Sequence, residues 1–447
     1  MNISDKKIKQ LINNYNLQSR EDVLKFVKKN PENLEINDLS RIAELVNNSR
    51  SDTAAYYTDA SVLDMLKNFL PDIQKKEIQV LEPSVGVGNF LQLIIDKYQH
   101  ADKLIIEVND VDSKSIELLK ALNSHRKIPN NVEIVYHNED FLSPFFTSNA
   151  TKYDLVIGNP PFLKLNQKNG LKDYAITFND MITKNISGFF MQKATAISNY
   201  VALIMPKYFL NNSDFGETRN RVKIYSIEKI IDFGEKGFKG VLIETIAILI
   251  DTTKEPDTTL SYSVTKDFYN EQKQLDLTSD EFPSWLLYRN DFFNKVASNM
   301  VFSVFKVFRD RQLTNTVLKD SGDVRVLKSR NIVRDGSGII SIEGYDKYVD
   351  FEELSRFSIS NYYERDDVYL SPNMTYYPRV IKKPKETIVN GSVAILENIS
   401  NYSITDKQLE FFNSSTFEEF YKIARNLSTR CLNIDSNSVQ FFGLYKY

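Results

Sequence analysis

Ile78-Gln79-Val80-Leu81-Glu82-Pro83-Ser84-Val85-Gly86-Val87-Gly88-Asn89-Phe90 is the stretch on which the fold turns. Its first four residues read as a buried strand, and Phe90, Leu91, Ile94 and Ile95 then recur at helical spacing. Between them, two glycines let the backbone turn tightly and approach a ligand that a β-carbon would exclude. The same unit repeats downstream. Leu104-Ile105-Ile106 with Val108 reads as a second strand, followed by a helix carrying Ile116, Leu119 and Leu122. Val132, Ile134 and Val135 mark a third strand, Leu155-Val156-Ile157 a fourth, and residues 201–205, 230–231 and 245–250 continue the series. Strands alternating with helices pair in parallel through right-handed crossovers, so the expected fold class is α/β with a doubly wound, mostly parallel sheet.

On either side the pattern changes. The first fifty residues read as short amphipathic helices, for example Glu21-Asp22-Val23-Leu24-Lys25-Phe26-Val27, and carry no catalytic signal. Beyond about residue 285 the alternation fails, giving scattered short strands, tyrosine clusters and basic stretches of mixed α+β character. The expected division is a helical extension at 1–50, an α/β domain at 51–284 and an α+β domain at 285–447, with a boundary near Trp285.

Composition narrows the function classes. With 447 residues, 42% hydrophobic and 26% charged, the chain has the balance of a folded globular protein. No stretch approaches the roughly 18 apolar residues of a membrane span, and Met1-Asn2-Ile3-Ser4-Asp5-Lys6-Lys7 lacks the apolar core of a secretory signal. A cytoplasmic protein with no membrane partner is expected. One cysteine forms no internal disulfide, and one cysteine with three histidines argues against a structural zinc site, so no metal is expected. Lys plus Arg total 56 against 59 for Asp plus Glu, a net charge of −3, so a polyanion would have to meet a local basic face.

Ligands of such sheets sit beyond the carboxyl ends of the strands. A dinucleotide would require a third glycine or alanine where Leu91 stands, which disfavours NAD. Glu82 ahead of the glycines suits a positively charged ligand, such as an amino acid ammonium or a sulfonium. Asp110, ending the second strand, is placed to accept hydrogen bonds from two ribose hydroxyls, while Asp112 better fits the N-cap of the following helix. A Gly-x-Gly by itself is equally a plain strand–helix turn.

Tyr153-Asp154-Leu155-Val156-Ile157-Gly158-Asn159-Pro160-Pro161-Phe162 is more specific. Two prolines at the end of a buried strand remove two backbone donors and fix φ twice, so the turn's carbonyls are held rigid. Asn159 adds a side-chain carbonyl and Phe162 an aromatic face. An acceptor pair beside a stacking plate suits a planar ligand bearing an amino group.

At this point the sequence resembles a known family. Glu82-Pro83-Ser84-x-Gly86-x-Gly88-x-Phe90 resembles the S-adenosylmethionine motif, and Asn159-Pro160-Pro161-Phe162 resembles the catalytic motif of DNA adenine-N(6) methyltransferases. Their order, with a large C-terminal region last, is that of the γ class in type II restriction–modification systems. The resemblance implies a Rossmann-like class I methyltransferase domain, an α+β target-recognition domain, and S-adenosylmethionine as cofactor. It implies cofactor contacts at Tyr57 and Thr58 in Ala55-Tyr56-Tyr57-Thr58, at Glu82, Pro83, Ser84, Gly86 and Gly88, at Asp110 with Val111, and at Asp140 and Phe141. In the last pair the acid would bind the cofactor's adenine amino group and the aromatic would pack on its ring. It further implies catalysis by Asn159, Pro160, Pro161 and Phe162 on an extruded base, double-stranded DNA as partner, a monomeric enzyme, and a cognate restriction endonuclease in the same system.

Between Arg289 and Arg334 the basic residues outnumber the acids, and Arg379-Val380-Ile381-Lys382-Lys383-Pro384-Lys385 forms a second basic cluster. Val324-Arg325-Val326-Leu327-Lys328-Ser329-Arg330-Asn331-Ile332 resembles a recurring element of the family's target-recognition domains. Candidate DNA contacts are Arg325, Lys328, Arg330, Arg379, Lys382 and Lys383, against the alternative of solvated strand faces. The segment holding Gln167, Gly170 and Asn179 would form a mobile loop over the base. Cytosine carbon-5 chemistry is disfavoured, because the single cysteine, Cys431, follows Arg430 far from the catalytic turn and reads as a small buried hydrophobe. Two other readings stay open: a methyltransferase acting on RNA or on a protein glutamine, and a catalytically inactive DNA-specificity protein.

Overall fold

In the computed structural model, residues 3–46, 60–147, 152–235, 243–375, 377–428 and 432–447 are described; Tyr57, Thr58 and Cys431 lie outside them. The chain divides into two compact units, Met1–Leu275 and Asp276–Tyr447. Trp285 falls inside the second, where its carbonyl accepts a hydrogen bond from Asn426 Nδ2 (2.8 Å).

The first unit is built on one sheet. Its strands are β1 (Glu77–Glu82), β2 (Lys103–Asn109), β3 (Val132–His137), β4 (Tyr153–Gly158), β5 (Ser198–Pro206), β6 (Ser226–Gly234), β7 (Thr245–Asp251), β8 (Thr258–Ser263) and β9 (Phe268–Lys273), in the order β3-β2-β1-β4-β5-β7-β6-β8-β9. β1 pairs in parallel with β2 and β4, and β4 with β5. The order reverses beside β1, so the crevice there is the switch point at which doubly wound sheets bind ligands. β7 lies antiparallel between β5 and β6. Its run Ile246-Ala247-Ile248-Leu249-Ile250 is wholly buried, as a strand covered on both faces must be.

Helices α1 (Asp5–Asn14), α2 (Arg20–Lys29) and α3 (Ile36–Val46) precede the sheet, and α4 (Ala60–Phe69) leads into it. Helices α5 (Leu91–Tyr98) and α6 (Ser113–Asn123) follow β1 and β2. Apolar residues of α5, including Leu91, Ile94 and Ile95, join the core under the sheet with Ile78, Val80 and Leu155. α1, α2 and α3 bury Ile8, Val27, Leu39 and Ile42 in a separate cluster that also takes in Val87, Leu118 and Leu122.

The second unit has short strands in small sheets. β10 (Phe305–Phe308), β13 (Val368–Pro372), β14 (Ile381–Lys382) and β16 (Val393–Asn398) form one; β11 (Val324–Leu327), β12 (Lys347–Val349) and β15 (Thr387–Val389) form another. Their inward residues, among them Val324, Val326, Val368, Leu370, Ile388 and Ile395, make one apolar core. Among the described residues no helix is long and apolar enough to cross a membrane.

Candidate cofactor and catalytic site

The loops after β1, β2 and β3 are held together by one buried side chain. Asn109, the last residue of β2, donates from Nδ2 to the carbonyls of Pro83 (3.1 Å) and Glu139 (3.0 Å). Its Oδ1 accepts from the Glu139 amide (3.0 Å), and its carbonyl accepts from the Val85 amide (2.8 Å). Asn138 adds a second tie, donating to the carbonyls of Asp110 (2.8 Å) and Val111 (3.0 Å). Neither tie is anticipated by the sequence reading. The available signal was an amide ending an apolar strand, in Val108-Asn109-Asp110.

Within this frame the two glycines do different work. Gly86 has φ +54°, and a β-carbon built there meets nothing within 4 Å, so its side faces open space. Gly88 has φ +78°, and a β-carbon would lie 2.5 Å from Leu119 Cδ1 and 2.9 Å from Leu91 Cδ1; this glycine permits close packing. The Asp110 carboxylate accepts from the amides of Gly86 (3.0 Å) and Asp112 (2.9 Å). Two of its lone pairs remain for a ligand. Burial raises the Asp110 carboxyl above the usual range, although both amide hydrogen bonds oppose the shift. Asp112 caps α6, accepting from the Lys114 amide (3.0 Å). Val111, between these acids, is 73% exposed, an unusual position for a valine and one that offers a flat apolar surface.

Glu82 is 1% exposed, and among the described residues its Oε2 has no hydrogen-bond partner. Burial pushes its carboxyl well above the usual range; Arg126 opposes the shift and Asp110 adds to it. A buried carboxylate oxygen of this kind calls for a cation bearing N–H donors. Open space at Gly86, remaining acceptors on Asp110 and the exposed Val111 face fit a ligand with an ammonium group, a ribose and a planar base, as S-adenosylmethionine has.

The proline turn stands next to the glycine turn. Ser84 Oγ donates to the Asn159 carbonyl (3.2 Å), and a β-carbon on Gly158 would touch Pro83 Cδ at 3.4 Å. Asn185 Nδ2 donates to the Phe162 carbonyl (3.3 Å), fixing the far end. Asn159 and Pro161 are half-buried and Pro160 is buried. Phe162 departs from expectation. At 6% exposure it belongs to the apolar core beneath the sheet, so its ring supports the turn and does not stand out as a plate.

Two further expectations are corrected. Phe141 is 2% exposed, with ring centroids 4.9 Å from Phe190 and 5.6 Å from Phe146, and the Lys193 ammonium lies 5.2 Å from its centre. Protein atoms occupy its faces, so it packs the core and not a cofactor ring. Its neighbour Asp140 remains half-buried, accepting from the Leu142 amide (2.9 Å) and the Tyr174 hydroxyl (3.3 Å). Burial and Asp140 push the Tyr174 hydroxyl up to about 12. The segment expected as a mobile loop contains helix α7 (Leu171–Thr177), begun by Gly170 at φ +88°, and the Asn179 carbonyl accepts from Arg221 (2.6 Å).

In the second unit the basic candidates separate sharply. Lys383 is 1% exposed and donates to the carbonyls of Tyr363 (3.2 Å), Arg365 (3.0 Å) and Pro384 (2.8 Å), using all three of its protons. Burial pulls its ammonium down to about 8. Arg379, also buried, donates to the carbonyls of Tyr377, Ser329 and Ile332. Both are corrected from DNA contacts to internal clasps. Arg325 is half-buried and paired with Asp346 (2.9 Å). Lys328 and Arg330 lie over the Tyr345 ring, at 3.6 and 4.7 Å from its centre, and Arg330 and Lys382 are exposed.

Residues 24–238 match the family model of the Eco57I restriction-modification methylase. The match covers just under half of the chain and lies within its sheet-bearing unit. No curated protein matches the chain. Solved structures similar to it include the type I restriction-modification methyltransferase subunit from Streptococcus thermophilus, at 16% identity over 54% of this chain and 53% of that one, with TM-score 0.41. The MmeI type IIL restriction-modification enzyme in complex with DNA matches 98% of this chain and 67% of its own at 11% identity, TM-score 0.48. The DrdV–DNA complex matches 95% of this chain at 12% identity, TM-score 0.50, and this chain spans 58% of that protein. The chain thus covers about half the length of the Streptococcus subunit.

Proposed function

We propose that the chain is a γ-class DNA adenine-N(6) methyltransferase of a restriction–modification system, with S-adenosylmethionine as methyl donor. The observation that carries this reading is the juxtaposition at one sheet edge of the glycine turn and the Asn-Pro-Pro-Phe turn, joined by the Ser84–Asn159 hydrogen bond. The match of residues 24–238 to a restriction-modification methylase supports it.

In this reading Glu82 receives the cofactor's ammonium, Asp110 its ribose hydroxyls, Asp140 its adenine amino group, and Val111 covers its base, with Pro83, Ser84, Gly86 and Gly88 shaping the floor. When bound, the cofactor supplies a methyl group activated by a positively charged sulfur. The target adenine lies inside a duplex and must rotate out of the stack to reach Asn159. Its amino nitrogen is a poor nucleophile because the lone pair is delocalised into the ring. Hydrogen bonds from its two protons to the Asn159 side-chain carbonyl and the Pro160 carbonyl draw that nitrogen toward tetrahedral geometry. The lone pair then attacks the methyl carbon in line. A nitrogen–carbon bond forms, the carbon–sulfur bond breaks with its electron pair left on sulfur, and the amine afterwards releases one proton to water. The two acceptors stabilise positive charge as it grows on nitrogen, and Pro161 holds them rigid. Exposed Lys382 and Arg330, and Lys328 over the same Tyr345 ring as Arg330, are the basic residues offered to DNA phosphates.

The test is to incubate the protein with tritiated S-adenosylmethionine and duplex DNA, RNA or protein extract, then digest each to its monomers. Label in N(6)-methyldeoxyadenosine is expected. Label confined to RNA or to glutamine, or no transfer with cofactor bound, overturns the proposal in favour of the corresponding rival. Sequencing DNA from cells that express the chain would also show whether one motif is modified, as protection against a cognate endonuclease requires.

A further inference from the structure

Helices α1, α2 and α3 carry no catalytic signal in sequence, yet they touch the site's loops at chosen points. Val87, between the two glycines, sits in the helices' own apolar cluster. Glu44 of α3, 9% exposed, accepts a hydrogen bond from Asn89 Nδ2 (2.7 Å), directly after Gly88. Arg20, at the start of α2, is ion-paired with Asp112. The Asp112 amide donates to Asp110, and the other Asp110 oxygen accepts from Gly86, so the ring of contacts closes on the glycine turn. Docking alone does not need these two contacts. Apolar packing on Leu118, Ala121 and Leu122, the hydrogen bond between His125 Nε2 and the Val27 carbonyl (2.8 Å), and the Lys28–Glu117 pair (3.3 Å) already fasten the helices to α6 and the turn that follows it.

We infer that the N-terminal helices brace the cofactor site, with Glu44 acting through Asn89 and Arg20 acting through Asp112 as positioning residues for Gly86 and Asp110. The inference rests on the proposal that this edge binds S-adenosylmethionine. A loop already held in its bound geometry loses less conformational freedom when ligand arrives, so bracing appears as affinity and not as chemistry. Affinity for the cofactor and docking of the helices are then coupled, and by linkage each strengthens the other equally.

The experiment is calorimetric titration of the full chain with S-adenosylhomocysteine, alongside steady-state kinetics and thermal melting. Arg20→Ala and Glu44→Ala should each weaken binding roughly five- to tenfold. They should raise KM for S-adenosylmethionine in step and leave kcat within about twofold. Arg20→Lys and Glu44→Gln, which keep the charge and the acceptor respectively, should recover most of the loss. Lys28→Ala, which removes only the exposed α2–α6 pair, should bind as the wild type does. Saturating S-adenosylhomocysteine should slow proteolysis within residues 3–46 in the wild type and do so less in Glu44→Ala. Wild-type affinity in both alanine variants, or a lowered melting temperature with affinity unchanged, overturns the brace while leaving the cofactor reading intact. A wild-type chain that does not bind S-adenosylhomocysteine overturns both.

Discussion

Glu82 and Lys383 are each 1% exposed and each carries an ionisable group, but their surroundings differ in kind. Lys383 has three carbonyls around its ammonium and places every proton on one of them. Glu82 has an oxygen with no partner among the described residues, at the end of a strand beside a glycine whose β-carbon position is open. A buried polar group whose hydrogen bonds are complete holds its own fold together. One left incomplete at a sheet's carboxyl edge is a candidate for a contact from outside. The contrast separates the carboxyl edge of the first unit from the basic strands of the second. In the first, the sequence motifs meet an incomplete buried carboxyl group and an open glycine; in the second, much of the positive charge is already committed internally.

The largest expected effect lies on the carboxyl edge. Asn159→Ala removes one of the two proposed acceptors for the target amine. Loss of one preorganised polar contact at the reacting atom typically costs about 10²–10³ in kcat. Methyl transfer should therefore fall by about that factor, while calorimetric affinity for S-adenosylhomocysteine stays within about twofold. Near wild-type turnover would remove Asn159 from the chemistry and with it the functional contrast between the two regions.

Next comes the clasp. Lys383→Ala leaves three carbonyls to find other partners and should destabilise the fold by about 2–3 kcal/mol in urea unfolding. The sign of the pH dependence follows from the lowered value near 8. Between about pH 8 and about 10.4 the unfolded chain holds the lysine proton more firmly than the folded one. Lys383 therefore adds stability as pH rises through that window, and the wild type's advantage over Lys383→Ala should widen. If instead the variant melts normally but loses affinity for DNA, Lys383 is a phosphate contact and its assignment as a clasp is wrong.

What could be read in the sequence and what could not follow from the same contrast. The parallel strands, the glycine turn and the proline turn were legible because each is a local pattern: apolar runs, φ-permissive glycines, and missing backbone donors at fixed spacing. Asp112 as an N-cap was legible for the same reason. Phe141, Phe162, Arg379 and Lys383 were misplaced because a residue type announces its chemistry but not which neighbours surround it. Phe141 is enclosed by Phe146 and Phe190, and Arg379 by the carbonyls of three separate residues, all brought in by tertiary packing. Asn109 was missed in the opposite sense. Its role is to tie loops that are distant in sequence, and an amide ending an apolar strand does not say which loops it joins.

Glu82→Gln sharpens the comparison with a smaller effect. The amide retains shape but loses the charge, so affinity for S-adenosylhomocysteine should fall about tenfold, the equivalent of roughly 1.4 kcal/mol. The raised carboxyl also predicts a proton signature. A bound ammonium favours the ionised acid, so binding should release protons at pH values below the Glu82 pKa, and wild-type affinity should climb with pH until that group has ionised. Titrations in two buffers of different ionisation enthalpy would detect the release, and Glu82→Gln should abolish it. Equal proton release in the variant would mean that the incomplete oxygen does not face the ligand.

The smallest effect tests the basic face that remains after Lys383 and Arg379 are set aside. Lys382 is exposed and Arg330 rests over Tyr345, so neither change should disturb the core. Neutralising one phosphate contact lowers the slope of log affinity against log salt by about 1 without altering which sequence is preferred. Lys382→Ala and Arg330→Ala should each show that reduction in filter binding, with unfolding midpoints unchanged. Arg379→Lys is the informative partner. It keeps the charge but has fewer donors for the carbonyls of Tyr377, Ser329 and Ile332, so it should lower the unfolding midpoint and leave the salt slope alone. A flattened slope in Arg379→Lys with normal stability would return that arginine to the DNA face and erase the distinction between exposed contacts and buried clasps.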